Sequence, residues 1–205
     1  MLFRSILAHE CGHQALFTSR LVNDSLGFVL HSLLLVPYFS WKYSHGLHHR
    51  YANHMEKDTA FVPYRKEEAK PWAKLLHSLD IAEDAPALNL MMLAGHQLFG
   101  WPAYLLFNIS AGAKSTMRGD RQSSKRQSHF DPLADIFTAR QHPFILLSDF
   151  GLAAVVYGLC FLACRIGFTQ VALLYGVPYL WVNNWIGMEA SLSCVKLNTD
   201  IQQLQ

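Results

Sequence analysis

His9-Glu-Cys-Gly-His13 and His45-Gly-Leu-His48-His49 together hold five of the eleven histidines in this 205-residue chain. In an α-helix, side chains three or four residues apart lie on one face. Each stretch therefore predicts a helix that directs its imidazoles at one position. A metal ion requires such convergence, and a hydrophobic core does not. We therefore expect a single metal centre held by two helices.

The composition favours one apolar domain. Hydrophobic residues make up 51% of the chain and aromatic residues 13%, and the apolar residues occur in blocks. The formal net charge of +2 is too small to indicate a nucleic-acid partner. The four cysteines show no paired spacing, so a reducing environment that faces the cytosol is expected.

Four apolar blocks suggest how the chain meets a membrane. Leu26–Trp41 is short for about 30 Å of hydrocarbon, so we predict a buried or interfacial helix there. Leu88–Ile109 contains glycines and a proline, which fits either a re-entrant hairpin or a kinked membrane segment. Phe144–Ile166 and Phe168–Ile186 are separated by Gly167 alone, which predicts a tight helical hairpin through the bilayer.

The segments between these blocks bear on topology. Residues 42–74 and 112–140 are basic, and the positive-inside rule would place both on the cytosolic side. Leu88–Ile109 would then dip into the membrane and return, or lie along its surface. Alternatively, 112–140 is a solvated loop that says little about topology. Residues 187–205 lack membrane character, so we predict a domain over 1–186 followed by an unrelated tail.

The first histidine stretch also matches the zinc-protease pattern H-E-x-x-H, with Glu10 as general base. Three features disfavour this interpretation: Gly12 weakens the helix, no third ligand follows at helical spacing, and the second stretch is left without a role. Ligation by imidazoles alone, beside a membrane, suits iron and oxygen chemistry better. Ordinary core packing is the favoured interpretation for the isolated histidines His31, His77, His96, His129 and His142. His54 is off the helical face and is expected behind the ligands or on the surface.

The residues around these histidines resemble the membrane fatty acid desaturases, in particular the acyl-lipid Δ12 (oleate) desaturases of the endoplasmic reticulum and, among them, the fungal branch. The resemblance covers about residues 5–186. It is carried by two histidine boxes and their flanks (9–15, 26–45 and 48–63), and by Gly100–Asn108, Ser148-Asp149 and Leu174–Pro178.

The resemblance implies a non-haem di-iron centre that activates O2 and removes two hydrogens from an acyl chain of a membrane lipid. The product would be a cis double bond, as in the conversion of oleate to linoleate, with electrons from a cytochrome b5-type donor. It also implies an all-α membrane protein in the endoplasmic reticulum, with a cytosolic helical cap that carries the boxes. Trp101 and Tyr104 would pack near the membrane dip. The implied iron ligands are His9, His13, His45, His48 and His49.

Two departures from the family pattern concern activity. Only a few residues precede the first box, and no histidine follows His142, so a third H-x-x-H-H box is missing. Five candidate ligands are few for two irons, which predicts a truncated desaturase with little or no activity alone. Two alternatives remain: an acyl hydroxylase or ω3 desaturase on the same scaffold, and a non-catalytic remnant or membrane interaction protein.

Overall fold

The computed structural model describes residues 2–52, 54–62, 86–117 and 126–183. Every regular element within these ranges is helical, which confirms the predicted all-α class for this part of the chain. The predicted tail at 187–205 lies outside the described residues. In chain order the helices are α1 (Leu2–Gly12), α2 (Arg20–Ser32), α3 (Tyr38–Tyr51), α4 (Pro86–Phe107), α5 (His142–Ile166), α6 (Phe168–Val171), a π-helical turn (Ala172–Gly176) and helical residues 177–183.

The prediction of one helix over Leu26–Trp41 is wrong. Helix α2 ends at Ser32, and Leu35 follows in the left-handed region with φ of 53°. Helix α3 begins only after Pro37. The break has a local cause, because proline disfavours helical backbone at the residue before it. The resulting corner turns α3 back against α2.

The corner between α2 and α3 is nevertheless buried, as predicted for this block. Leu34, Val36 and Trp41 form a core cluster, and Trp101 of α4 packs against it. Tyr104, one turn further along α4, donates a hydrogen bond from its hydroxyl to Ser44 Oγ of α3 (3.4 Å). These contacts place α4 directly against the helix that carries the second histidine stretch.

Helix α4 excludes a re-entrant hairpin within Leu88–Ile109. The helix continues through Pro102 to Phe107. It ends where Asn108 adopts φ of 51°, a left-handed conformation that asparagine tolerates better than most residues. The chain therefore does not reverse inside this apolar block.

The predicted break at Gly167 is present. Gly167 has φ of 94° and is the one non-helical residue between α5 and α6. Early in α5, Gly151 lies against Phe28 and Ser32 of α2. Beyond the turn, the Tyr175 hydroxyl donates to the carbonyl of Leu33 (2.8 Å). Both ends of this path thus meet the end of α2, so the chain turns back towards α2 after Gly167.

Helix α5 is the one element of the described chain that is long and apolar enough to cross a membrane. It has 25 residues, and 22% of its most apolar window is buried inside the protein. The same helix supports α3 through its first turns. Ile145 packs in a core cluster with Ala134, Ile136 and Phe137, against which Tyr43 of α3 also lies.

The chain after α3 pairs with the chain after α4. The amide of Gly112 donates to the carbonyl of Asp58 (2.8 Å), and the amide of Lys114 donates to the carbonyl of Glu56 (2.6 Å). A Cβ at Gly112 would lie 2.4 Å from the Glu56 carbonyl oxygen, so this approach requires glycine. The pairing fixes Asp58 beneath the second histidine stretch.

Candidate metal centre

Four imidazoles from two helices converge at one position. Helix α1 contributes His9 and His13, and α3 contributes His45 and His49, each pair four residues apart. His45 Nε2 lies 2.9 Å from His9 Nε2, 3.2 Å from His13 Nε2 and 3.1 Å from His49 Nε2. We call these residues the four-imidazole cluster.

The four-imidazole cluster fits a single metal ion. Its ligand nitrogens all lie within 4.8 Å of one another. Metal–nitrogen bonds of about 2.1 Å require nitrogens roughly 3 to 4 Å apart, which is close to the arrangement present. Cys11 lies between the two α1 histidines but is buried and outside the group, so the donors are imidazoles alone. Such a set suits iron, zinc, copper or nickel.

The environment favours neutral, metal-binding imidazoles. Burial and the neighbouring histidines lower the pKa of His45 to about 2. Burial, followed by the neighbouring His9 and His49, also lowers the pKa of His13. Neutral imidazole carries the lone pair that a metal needs. His45 and His13 are therefore neutral at physiological pH.

His48 does not join the four-imidazole cluster. Its Nδ1 lies 2.6 Å from Oδ1 of Asp58, a side chain with 2% exposure. Its ring is adjacent to the cluster, with centroids 5.9 Å from His45 and 5.6 Å from His49. The expectation that all five imidazoles meet at one position therefore holds for four of them, and ligation by any of the five remains a prediction.

A tryptophan supports the four-imidazole cluster from below. The Trp41 ring stacks on His45, with a centroid separation of 4.5 Å and an interplanar angle of 17°. It also contacts His31 of α2 at 4.5 Å. A Cβ at Gly12 would lie 2.5 Å from Trp41 Cζ3. Gly12, which appeared in the sequence as a weakness of α1, is the residue that admits this ring.

The geometry gives no support to the zinc-protease interpretation. Glu10 Oε1 lies 3.1 Å from Nδ1 of His9, whereas the cluster is built from Nε2 atoms. The carboxylate is thus engaged with the outer nitrogen of a candidate ligand. A general base would have to reach water at the metal instead.

Of the isolated histidines that the structure describes, two are in the core as expected. His31 and His129 are buried, and His31 Nδ1 is bonded to the Gly27 carbonyl at 3.0 Å. His54 is exposed. His142 is half-buried at the start of α5, while His77 and the His96 side chain lie outside the described part of the chain.

Sequence inspection missed two supporting residues. Asp58 lies ten residues after His48, too far for a helical pattern to link them. Ser44 is buried next to His45, and its Oγ is bonded to Tyr104 and, at 3.2 Å, to His129 Nε2. Neither residue stands out in the sequence, because Ser44 lies between Tyr43 and His45 and Asp58 follows Lys57. Tyr104, which was expected to pack near a membrane dip, contacts Ser44 of α3.

Comparison with known proteins assigns the chain to a family. The sequence model of the fatty acid desaturase family matches residues 1–190. The chain belongs to the fatty acid desaturases. Among curated proteins, an oleate hydroxylase of Claviceps purpurea is 40% identical over 190 residues, and a Δ12 fatty acid desaturase of Mortierella alpina is 37% identical over 190 residues. A Δ12-fatty-acid desaturase of Arabidopsis thaliana is 40% identical over 181 residues.

These alignments cover 88% of this desaturase-family chain but only 40–45% of each relative. The chain thus spans about two-fifths of the length of the curated relatives that it matches. No solved structure matches it. The family is a di-iron desaturase family, and the four-imidazole cluster is able to bind a metal.

Proposed function

We propose that this chain forms part of an acyl-lipid desaturase that introduces a cis double bond at the Δ12 position, converting oleate to linoleate. The observation that carries the proposal is the convergence of four imidazoles from α1 and α3 in a chain of the desaturase family. The iron ligands would be His9, His13, His45, His48 and His49.

Bound iron would supply oxidising chemistry with O2. The protein's own contribution is to hold the four imidazoles in place before the metal arrives. Trp41 stacks on His45, and the close approach at Gly12 fixes α1 over α3. Two members of the cluster, His13 and His49, are exposed, so the position remains open on one side. Residues that pack behind the ligands fix the ligand orientation and influence the reactivity of the metal.

We further propose a location in the endoplasmic reticulum membrane, with the histidines facing the cytosol and a cytochrome b5-type electron donor. Helix α5 supports the membrane part, because most of its apolar surface is not covered by the protein itself. A relative that is 40% identical over 181 residues is named as an endoplasmic reticulum isozyme of omega-6 desaturase. Acyl chains of membrane lipids would reach the site from the adjacent bilayer.

An oleate hydroxylase is the second candidate. The specific observation is the 40% identity over 190 residues to the hydroxylase of Claviceps purpurea, within the same range as the desaturases. Hydroxylation and desaturation both begin with removal of a hydrogen from an unactivated acyl chain, so the described metal centre serves either. The products distinguish them.

A chimera tests the reaction. Residues 1–183 would replace the matching segment of the Mortierella alpina Δ12 desaturase. This chimera would be expressed in yeast that makes oleate but not linoleate. We expect linoleate in the total fatty acids, and none when the chimera carries His45→Ala. Hydroxyoleate would indicate the hydroxylase, and an expressed chimera with neither product would contradict the proposal.

Metal analysis of the chain itself tests the non-catalytic alternative. The chain would be purified in detergent after expression with iron, and its iron measured against a His45→Ala variant of equal helicity. We expect iron in the wild-type chain and at least a tenfold loss in the variant. Equal, negligible iron in both would favour a remnant or interaction protein.

A further inference from the structure

A buried carboxylate lies beneath the second histidine stretch. Asp58 is 1% exposed. Its amide donates to the carbonyl of His54 (3.1 Å), and its carbonyl accepts from the amide of Gly112 (2.8 Å). The next residue, Thr59, donates from its hydroxyl to the carbonyl of Ser44 (2.6 Å). The chain at Asp58 and Thr59 is therefore held to the segment after α3, to the middle of α3 and to the chain after α4.

One oxygen of the Asp58 carboxylate is bonded to two groups of the described chain. Oδ1 accepts from the amide of Ala60 (2.9 Å) and lies 2.6 Å from His48 Nδ1. A carboxylate only accepts hydrogen bonds, so Nδ1 must carry the proton. In a neutral imidazole the lone pair is then on Nε2. Such a carboxylate–histidine pair fixes ring orientation and raises the basicity of a metal ligand.

We propose that Asp58 is a positioning residue that holds His48 in the Nδ1–H tautomer and makes Nε2 its metal-binding nitrogen. Because His48 stands beside the four-imidazole cluster rather than in it, Asp58 prepares a ligand for a neighbouring metal position. This inference rests on the proposed di-iron function.

Glu10 provides an internal comparison. It also touches Nδ1 of a candidate ligand, His9, at 3.1 Å. Its side chain, however, is 43% exposed, and it is the neighbour of His9 in sequence. Exposed pairs of this kind contribute little. The buried position of Asp58, fixed by backbone bonds from both sides, gives it a stronger hold on its histidine.

The tautomer is tested on the metal-free chain in detergent with ¹⁵N-labelled histidine. The His48 signals are identified by their loss in His48→Gln. We expect the Nδ1–H form in the wild-type chain and a reduced fraction of it in Asp58→Asn, which keeps the side-chain size but removes the charge. Glu56→Gln removes an exposed carboxylate from the same segment and should leave the tautomer unchanged. The Nε2–H form in the wild-type chain would overturn the proposal.

Metal affinity supplies the second measurement. Co²⁺ would be titrated into the same variants. The loss of Co²⁺ affinity in His48→Gln defines the part of the affinity that depends on His48. We expect Asp58→Asn to weaken that part about 10- to 100-fold, a range typical of such supporting residues, and Glu56→Gln to change it less than twofold. Equal affinity in Asp58→Asn and wild type, or Co²⁺ binding indifferent to His48→Gln, would overturn the proposal.

The two proposals fail differently. If neither His45→Ala nor His48→Gln changes Co²⁺ binding, the metal centre itself is wrong. If His45→Ala abolishes Co²⁺ binding while Asp58→Asn changes neither the His48 tautomer nor the Co²⁺ affinity, the metal centre is supported and the proposed role of Asp58 is wrong. If Asp58→Asn does not fold, as judged by its helicity, the tautomer of His48 in the wild-type chain still tests the proposal, because the Nε2–H form would overturn it.

Discussion

At the scale of single residues, the four-imidazole cluster depends on an aromatic ring beneath it. Trp41 contacts His45 and His31, and its own place depends on the absence of a side chain at Gly12. Interiors of this kind are close-packed, so an added methyl group must displace something. The arrangement of the four imidazoles therefore depends on residues that cannot themselves bind metal.

Gly12→Ala is expected to separate α1 from α3. Its Cβ would lie 2.5 Å from Trp41 Cζ3, and overpacking of this kind typically costs about 1–3 kcal/mol. We expect Co²⁺ affinity to fall at least tenfold. Gly46→Ala is the matched control, because nothing lies within 4 Å of its Cβ and alanine stabilises a helix interior by about 0.5–1 kcal/mol over glycine. Similar losses in both variants would contradict the packing explanation.

The buried histidines make stability depend on pH. Burial lowers the pKa of His31 to about 3 and that of His129 to about 4, whereas the unfolded value is about 6.5. Below pH 6.5 these histidines become protonated in the unfolded chain but remain neutral in the folded one. The free energy of unfolding therefore falls as pH falls. The loss is about 1.4 kcal/mol per pH unit for each residue until its folded pKa is approached.

We therefore expect the metal-free chain to unfold at a lower temperature at pH 5.5 than at pH 7.5. His129→Gln places an amide nitrogen near the position of Nε2, which bonds to Ser44 Oγ, but cannot take up a proton, so its difference between the two pH values should be smaller. Thermal unfolding followed by circular dichroism measures both. A pH difference that is the same in His129→Gln and wild type would show that His129 is not responsible.

At the scale of elements, helix α3 is capped by another helix. Pro37 at its start offers no capping side chain. The free amide of Phe39 instead donates to Ser148 Oγ of α5, at 2.9 Å and 109 residues away in sequence. The first amides of any helix lack partners within it, and a buried one is costly. Helix α5 thus completes the helix that carries the second histidine stretch.

Ser148→Ala should leave the buried Phe39 amide without its acceptor and destabilise the protein by about 1–3 kcal/mol. Ser40→Ala is the matched control: Ser40 is equally buried in α3, but its hydroxyl has no hydrogen-bond partner among the residues that the structure describes. Its loss should be neutral or slightly stabilising. Unfolding of both variants in denaturant provides the comparison, and an equal effect would refute the role of Ser148 as a cap.

At the scale of the whole molecule, the described chain has two surfaces of different character. The four-imidazole cluster lies where α1 and α3 meet. The outer faces of α4 and α5 instead expose large apolar side chains, among them Met91, Phe99, Phe150 and Tyr157, each about 70% exposed. Continuous apolar surface of this extent marks contact with a membrane or a partner.

The chain is therefore expected to remain with membranes after a carbonate wash. Yeast membranes carrying the expressed chain would be washed at alkaline pH and divided into pellet and supernatant. A variant with Val156→Lys and Phe161→Lys, both exposed in the middle of α5, should shift towards the supernatant, since charge is costly in hydrocarbon. Release of the wild-type chain would contradict a membrane-spanning α5.

Local sequence was enough to predict the helices of the two histidine stretches, the pairing of histidines four residues apart, the break at Gly167 and the family. These follow from local periodicity, backbone preference and shared motifs. Only the tertiary structure decided that His48 turns to Asp58, that Gly12 admits Trp41 and that Ser148 caps α3. Those contacts join residues between 10 and 109 positions apart, and helical periodicity carries no information about partners that packing alone brings together.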